Sequence, residues 1–204
     1  MLSHHVSPDA RPLPGAIELA AKMAKVICDR ERVVLDVPGR PAAVLVPMFD
    51  RDERPHIILT KRTHTLLEHP GQVSLPGGRR DPADTDLRMT ALREAHEELG
   101  IAPEVVEVVG VLDDVATYQS AYIVTPVVGL MRSAPETRPN PDEIARVMEV
   151  SIAEILAFDA ALPARPNWRE LRYPLDGEDV WGATARILRG FAEIARAAVA
   201  DEPT

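Results

Sequence analysis

Residues 87–99, LRMTALREAHEEL, carry the period of a helix, and β-rich runs lie on both sides of them in the chain. That placement restricts the chain to folds in which a helix packs on a sheet. AAVLVPMF (42–49) and HIILT (56–60) read as strands before the helix. EVVEVVGVLDDV (104–115), AYIVTPVVGLM (121–131, interrupted by Pro126) and IARVMEVSI (144–152) read as strands after it. QVSL (72–75) is a shorter strand candidate that runs into Pro76-Gly77-Gly78, a turn signal. Helical patterns also cover 16–32 behind two prolines, 151–158, and the closing stretch 181–200. No stretch has the composition of a linker between two cores. The expectation is a single mixed α/β domain over residues 1–204, with its core at about 40–195 and an N-terminal helical arm at about 14–32.

The end of the 87–99 helix is chemically odd. Gly100 suits the position just past a helix terminus. Glu94, Glu97 and Glu98 then fall in the last turns, where the helix dipole favours cations. Glu94 and Glu98 are also spaced i,i+4, a like-charge pairing that costs a few tenths of a kcal/mol or so. On a helical wheel the three acids share an arc of roughly 100°, while Ala91, Leu92, Ala95 and Leu99 occupy another that faces a core. Two readings fit: a solvated acidic face, or a platform for a hard divalent cation, which takes oxygen ligands.

Charge narrows the partners. A formal net charge of -9 and a pI of about 5.2 argue against a nucleic-acid footprint or an anionic membrane surface. They leave room for a local basic pocket. The lone Cys28 supports no internal disulfide and fits a reducing, cytoplasmic setting. Its place on an alanine-rich helical pattern argues against catalysis. The first residues lack the apolar core of a signal peptide, and no run is long enough to span a membrane. His4 and His5 read as a frayed polar terminus.

Upstream of the acidic helix lie Gly77 and Gly78, which let backbone approach a ligand closely, then Arg79 and Arg80. From Gly78 the order is five residues, Asp84, eight residues, then REAHEELGI from Arg93. This arrangement resembles the Nudix box, a glycine, an acid and REUXEEXGU, with U aliphatic or otherwise apolar. Asp84 stands where the general box has glutamate, and the gap to Arg93 is one residue longer. Both departures are similar to the coenzyme A pyrophosphatase branch of the superfamily. GGRRDPAD followed by TALREAHEE, ILTKRT (58–63), HPGQVSLPGG (69–78) and DVWGATARIL (179–188) resemble that branch's signatures as well. The likeness covers roughly residues 40 to 195.

The resemblance implies a Nudix-type α/β/α sandwich around a mixed β-sheet. It implies hydrolysis of coenzyme A, or a derivative, at its diphosphate to 3′,5′-ADP and 4′-phosphopantetheine. Glu94 and Glu98 would hold Mg²⁺ or Mn²⁺, and Glu97 would be a further ligand or orient water. Arg93 would brace the carboxylates. Gly77, Gly78, Arg62, Gln72 and Arg79 are the residues expected at the substrate, with two readings open for Arg62, phosphate binding or pairing with an acid on a strand edge, and two for Gln72, substrate contact or a structural role. Lys61 is an alternative phosphate holder. The branch's upstream arginine falls at Leu67 and its phenylalanine at Leu75, which leaves open another Nudix substrate: ADP-ribose, a nucleotide sugar or a nucleoside triphosphate. An inactive nucleotide-binding module would show a broken acid cluster, and all three acids are present. Glu143 is the favoured general base, with Asp142, Asp113 and Asp114 as weaker candidates. His64, His69 and His96 have no chelating spacing. Trp168 and Trp181 either stack on a base or anchor a core or interface. Ile187, Leu188, Phe191 and Ile194 of the closing helix read as core, with a share in a homodimer contact left open.

Overall fold

A computed structural model describes residues 13–65, 69–117, 121–164 and 166–200. Its central strand, β1 (Arg40–Arg51), is antiparallel to β2 (Arg54–Arg62) and to β4 (Gly77–Arg79) and parallel to β7 (Tyr122–Leu130). Parallel neighbours need a crossover, and α2 (Leu87–Leu99) lies in the chain between them. β3 (Val73–Ser74) and β8 (Ile144–Ser151) extend the sheet from β2, and β5 (Glu107–Val111) and β6 (Val115–Ala116) extend it from β7.

Side-chain alternation along β1 divides the core in two. Ala42, Val46 and Met48 face a cluster with Leu19, Met23, Leu188 and Phe191. Ala43, Leu45 and Phe49 face the other way, toward Ala91, Ala95 and Leu99. So α2 covers one face of the sheet. The other face is covered by α1 (Ala16–Asp29), α3 (Ile152–Ala161) and α4 (Gly182–Ala200). The result is an α/β/α sandwich around a mixed sheet. Each fully buried side chain such as Leu45 or Phe49 contributes about 1.5–3 kcal/mol.

Three details differ from the sequence reading. Pro76-Gly77-Gly78 is more than a turn, because Gly77–Arg79 pair with Val44–Ala42 as β4. Only glycine fits at 77, since a Cβ there would stand 2.4 Å from the Ala43 carbonyl oxygen. The 104–115 run is broken after Val111, and β7 carries Pro126 at the gap between its partners β5 and β6, where a missing N–H is tolerated. Residues 172–181, assigned no strand from sequence, form a hairpin of β9 (Arg172–Leu175) and β10 (Glu178–Trp181). Its Asp176-Gly177 turn has φ of 49° and 76°, the conformation that Asp-Gly favours in a two-residue hairpin loop.

Buried polar groups lock the outer layer. Asp159 of α3 accepts from the Tyr173 hydroxyl of β9 and pairs with Arg189 and Arg196 of α4. The stretch after α1 is tied down by Arg30–Asp113 at 2.7 Å and by Arg32, which pairs with Asp114 and donates to the Leu112 carbonyl. Asp113 and Asp114 are therefore engaged away from the helix acids. Among the described residues no helix is long and apolar enough to cross a membrane.

Candidate active site

The sequence fixes α2 at both ends. The Asp86 side chain accepts from the N–H groups of Arg88 and Met89 at 2.9 Å, satisfying first-turn donors. Gly100 closes the helix with φ 69°. Ala91, Ala95 and Leu99 bury one stripe, which sets the helix rotation and directs Glu94 and Glu98 into a cleft of about 690 Å³. A cavity of that size suits a small-molecule ligand.

Glycine backbone and carboxylates meet closely there. The Gly77 N–H donates to Glu98 Oε2 at 3.3 Å. The Glu94 carboxylate lies so near Gly78 that a Cβ on the glycine would be 2.5 Å from Glu94 Cδ. Arg93 braces the group from behind. Its Nε and Nη2 donate to the two Asp84 oxygens at 3.0 and 3.1 Å. Its Nη1 reaches Glu94 Oε1 at 2.9 Å and Glu97 Oε2 at 3.0 Å. Asp84 also accepts from Thr90 Oγ1 at 2.8 Å and from the Asp81 N–H. The Arg93 hydrogen bonds hold the Asp84 carboxyl down at about 2, against the opposing effect of burial.

Glu98 has the opposite electrostatics. It is 3% exposed, and its nearest cationic atom, Arg62 Nη1, is 3.9 Å away. Burial pushes its carboxyl up to about 8, with the charges of Glu94 and Glu143 adding to the rise against Gly77 and Arg62. Burial raises Glu94 as well. Arg62 lines the same cleft with its buried Nε lacking a hydrogen-bond partner. Carboxylates that repel one another in a half-dry cleft fit a hard dication, and an anionic substrate group fits the orphaned guanidinium nitrogen. Among the described residues no three His, Cys, Asp or Glu side chains already form a closed metal cage. Mg²⁺ needs none, because one or two carboxylates with waters and phosphate oxygens suffice.

Glu143 arrives from a distant part of the chain. Its carbonyl accepts from the Thr63 N–H at 2.9 Å, joining the start of β8 to the end of β2, and its carboxylate lines the cleft. Asn140 Nδ2 lies 3.4 Å from Glu143 Oε1. Asp142 is exposed; its carbonyl accepts from Thr63 Oγ1 and its N–H donates to Asn140 Oδ1, both at 3.1 Å. Gln72, Gly77, Gly78 and Arg79 also line the cleft. Glu97 lies outside the lining, 55% exposed at the side chain, and shares Arg93 Nη1 with Glu94. Lys61 is bound to Glu178 at 2.7 Å. His69 lines the cleft, whereas His64 and His96 do not, and Leu75 lines it while Leu67 falls outside the described residues. Sequence reasoning left Asp84 as a motif position and passed over Thr90, although Asp84 and Thr90 at i,i+6 anchor the arginine brace.

Residues 39–171 match the family model described as NUDIX domain. The chain is 42% identical over 158 residues to the uncharacterized Nudix hydrolase NudL of Enterobacter sp. (strain 638), covering 75% of this chain and 81% of that one. It is 39% identical to the protein of the same name from Pectobacterium atrosepticum over the same shares. Among solved structures it superposes on a Nudix hydrolase from Alicyclobacillus acidocaldarius with a TM-score of 0.54 at 17% identity, covering 81% of this chain and 96% of that one. The fold is also shared with RenU, a Nudix hydrolase of M. Smegmatis, with a TM-score of 0.52 at 21% identity over 81% of this chain and 88% of that one. The chain belongs to the Nudix family.

Proposed function

We propose that this chain is a metal-dependent diphosphate hydrolase acting on coenzyme A or a close derivative, releasing 3′,5′-ADP and 4′-phosphopantetheine or its acyl form. The observation that carries the reaction is the pair of half-buried Glu94 and buried Glu98, set against the Gly77–Gly78 backbone with Glu143 on the same cleft. The substrate rests on the likeness of HPGQVSLPGG, GGRRDPAD and WGATA to the coenzyme A pyrophosphatase branch.

In this reading Glu94 and Glu98 hold Mg²⁺ or Mn²⁺. A dication held there would offset the negative charge that repels water from a diphosphate and would lower the pKa of a coordinated water. Arg62 and Arg79 hold phosphate oxygens, and Gln72 and the glycine backbone orient them. Glu143 accepts the proton as water oxygen bonds to phosphorus and the bridging P–O bond breaks, leaving the displaced group as a phosphate anion. Arg93 and Asp84 keep the carboxylates in register. Glu97 belongs to this network as an orienting group reached through Arg93. Residues 1–204 act as one catalytic unit in this account.

Leu75 on the cleft wall favours a second reading, another Nudix diphosphate substrate, because the branch carries phenylalanine there. Incubating the protein with coenzyme A, ADP-ribose and a nucleoside triphosphate, with Mg²⁺, Mn²⁺ or chelator, separates the two. Metal-dependent release of 3′,5′-ADP in clear preference to the other cleavages supports the first. Turnover of another diphosphate alone moves the substrate, and no turnover of any leaves a binding module.

A further inference from the structure

The acids and glycines occupy only part of the cleft. A second wall is built from the segment before β9, the β9–β10 hairpin and the first turn of α4, and it presents Trp168, Arg169, Arg172, Trp181 and Arg186. The Arg169 guanidinium lies over the Trp168 indole, 4.9 Å from the ring centroid. Arg172 lies over Trp181 at 5.5 Å. Two arginine-on-indole pairs on one wall are a specific arrangement, since an arginine stacked on a ring keeps its planar N–H fork free to meet a phosphate edge. Arg186 Nη1 donates to the Ala116 carbonyl of β6 at 2.8 Å, which holds its guanidinium at the cleft. Arg172 also approaches Asp179 at 3.5 Å, an exposed contact of small energetic weight.

This wall is joined to the reaction centre. Thr184 Oγ1 of α4 donates to the Val73 carbonyl of β3 at 3.2 Å. The Gln72 amide nitrogen stands 3.7 Å from the Cβ position of Gly182. β3 leads through Leu75-Pro76 into the Gly77–Gly78 backbone that touches Glu98 and Glu94. The charge balance is unusual for a protein of net charge -9, because five arginines and three glutamates line this one cleft. Arg62 lies by Glu98, and Arg79 follows the glycines. Arg169, Arg172 and Arg186 remain as cationic charge beyond what a metal-held diphosphate requires.

We propose that the Trp168, Arg169, Arg172, Trp181 and Arg186 wall is a subsite for a nucleotide base carrying its own phosphate, separate from the scissile diphosphate. The indole faces opposite the arginines take the base, and the guanidinium forks take the extra phosphate. For coenzyme A this moiety is the 3′-phosphoadenosine, so the assignment deepens the substrate reading above and rests on it. The 3′-phosphate is then a determinant of selectivity.

Two measurements test it. The first is kcat/KM for coenzyme A and for dephospho-coenzyme A, which lacks only the 3′-phosphate, in the wild type, Arg172→Ala, Arg172→Lys and Arg169→Ala/Arg172→Ala. The wild type should prefer coenzyme A by about tenfold or more. The double variant should bring the ratio toward one, and Arg172→Lys should fall between. A ratio near one in the wild type, or a preference that survives the double variant, overturns the subsite. The second measurement is calorimetric binding of 3′,5′-ADP against 5′-AMP, which needs no turnover. Tighter 3′,5′-ADP binding that Arg169→Ala/Arg172→Ala abolishes supports the subsite even if coenzyme A is not cleaved, in which case only the substrate reading has failed. Equal binding of the two nucleotides overturns the subsite while leaving any observed coenzyme A hydrolysis standing.

Discussion

Gly78 and Glu94 are in such close approach that no side chain can stand between them, with 2.5 Å separating a Cβ on the glycine from Glu94 Cδ. The neighbouring Gly77 has a different constraint, since its Cβ would strike the Ala43 carbonyl oxygen at 2.4 Å and Val44 Cα at 2.6 Å. A carboxylate at the end of a flexible side chain can swing aside, whereas a paired strand cannot. Gly78→Ala should therefore keep its fold, melting within a few degrees of wild type, while losing most turnover. Gly77→Ala should lose about 2 kcal/mol or more of stability through the β1–β4 pairing. Thermal melts and kinetics on the two variants check the contrast, and equal destabilisation would contradict it.

Glu98→Gln separates the site's chemistry from its stability. The folded state raises the Glu98 carboxyl from 4.5 to about 8, so the native protein binds more protons than the unfolded chain between those values. Wild-type stability without metal should fall as pH rises through that window. Glu98→Gln should lack this decline, and at pH 8 in chelator it should melt higher than wild type. Turnover should drop by about 10³-fold or more, the scale of losing an electrostatic anchor of the transition state.

Asp84 gives the opposite sign. Its folded carboxyl sits at about 2, below the ordinary 3.8, so its contribution is fully present above pH 4 and is lost as pH falls toward 2. Asp84→Asn should cost on the order of 2–4 kcal/mol at neutral pH by leaving Arg93 without its main partner. Urea unfolding at pH 6 and pH 3 should show the gap to wild type narrowing at the lower pH.

Glu143→Gln tests the proton acceptor. The variant should bind Mn²⁺ and product as wild type does and lose about 10²–10⁴-fold in kcat. An unchanged kcat in Glu143→Gln would move the proton acceptor elsewhere.

The helix, its rotation and its end at Gly100 were legible because periodicity and a left-handed closing glycine are local signals. Strands β1, β2, β7 and β8 were legible from β-branched runs of ordinary length. β4 was hidden because Gly77-Gly78 has turn composition, and only its pairing partner Ala42–Val44 makes it a strand. The β9–β10 hairpin carried a readable Asp-Gly signal, masked by Pro174 and by charged residues that face outward from short strands. At the candidate site, the motif points to Glu94 and Glu98, which line the cleft, but not to the Asp84–Thr90 contact beneath Arg93. Glu143 is named from its place just before a strand, but no sequence spacing shows that it shares their cleft, because β8 reaches it through pairing with β2. Trp168 and Trp181, two readings of which were open, line the cleft.

The most direct test of the metal platform is a Mn²⁺ titration followed by electron paramagnetic resonance, comparing wild type with Glu94→Gln/Glu98→Gln after circular dichroism has shown both folded. Saturable loss of the free Mn²⁺ signal with wild type, absent from the double variant, is the predicted result. Equal Mn²⁺ uptake by the two proteins, or none by wild type, would contradict the claim that these helix carboxylates hold the cation.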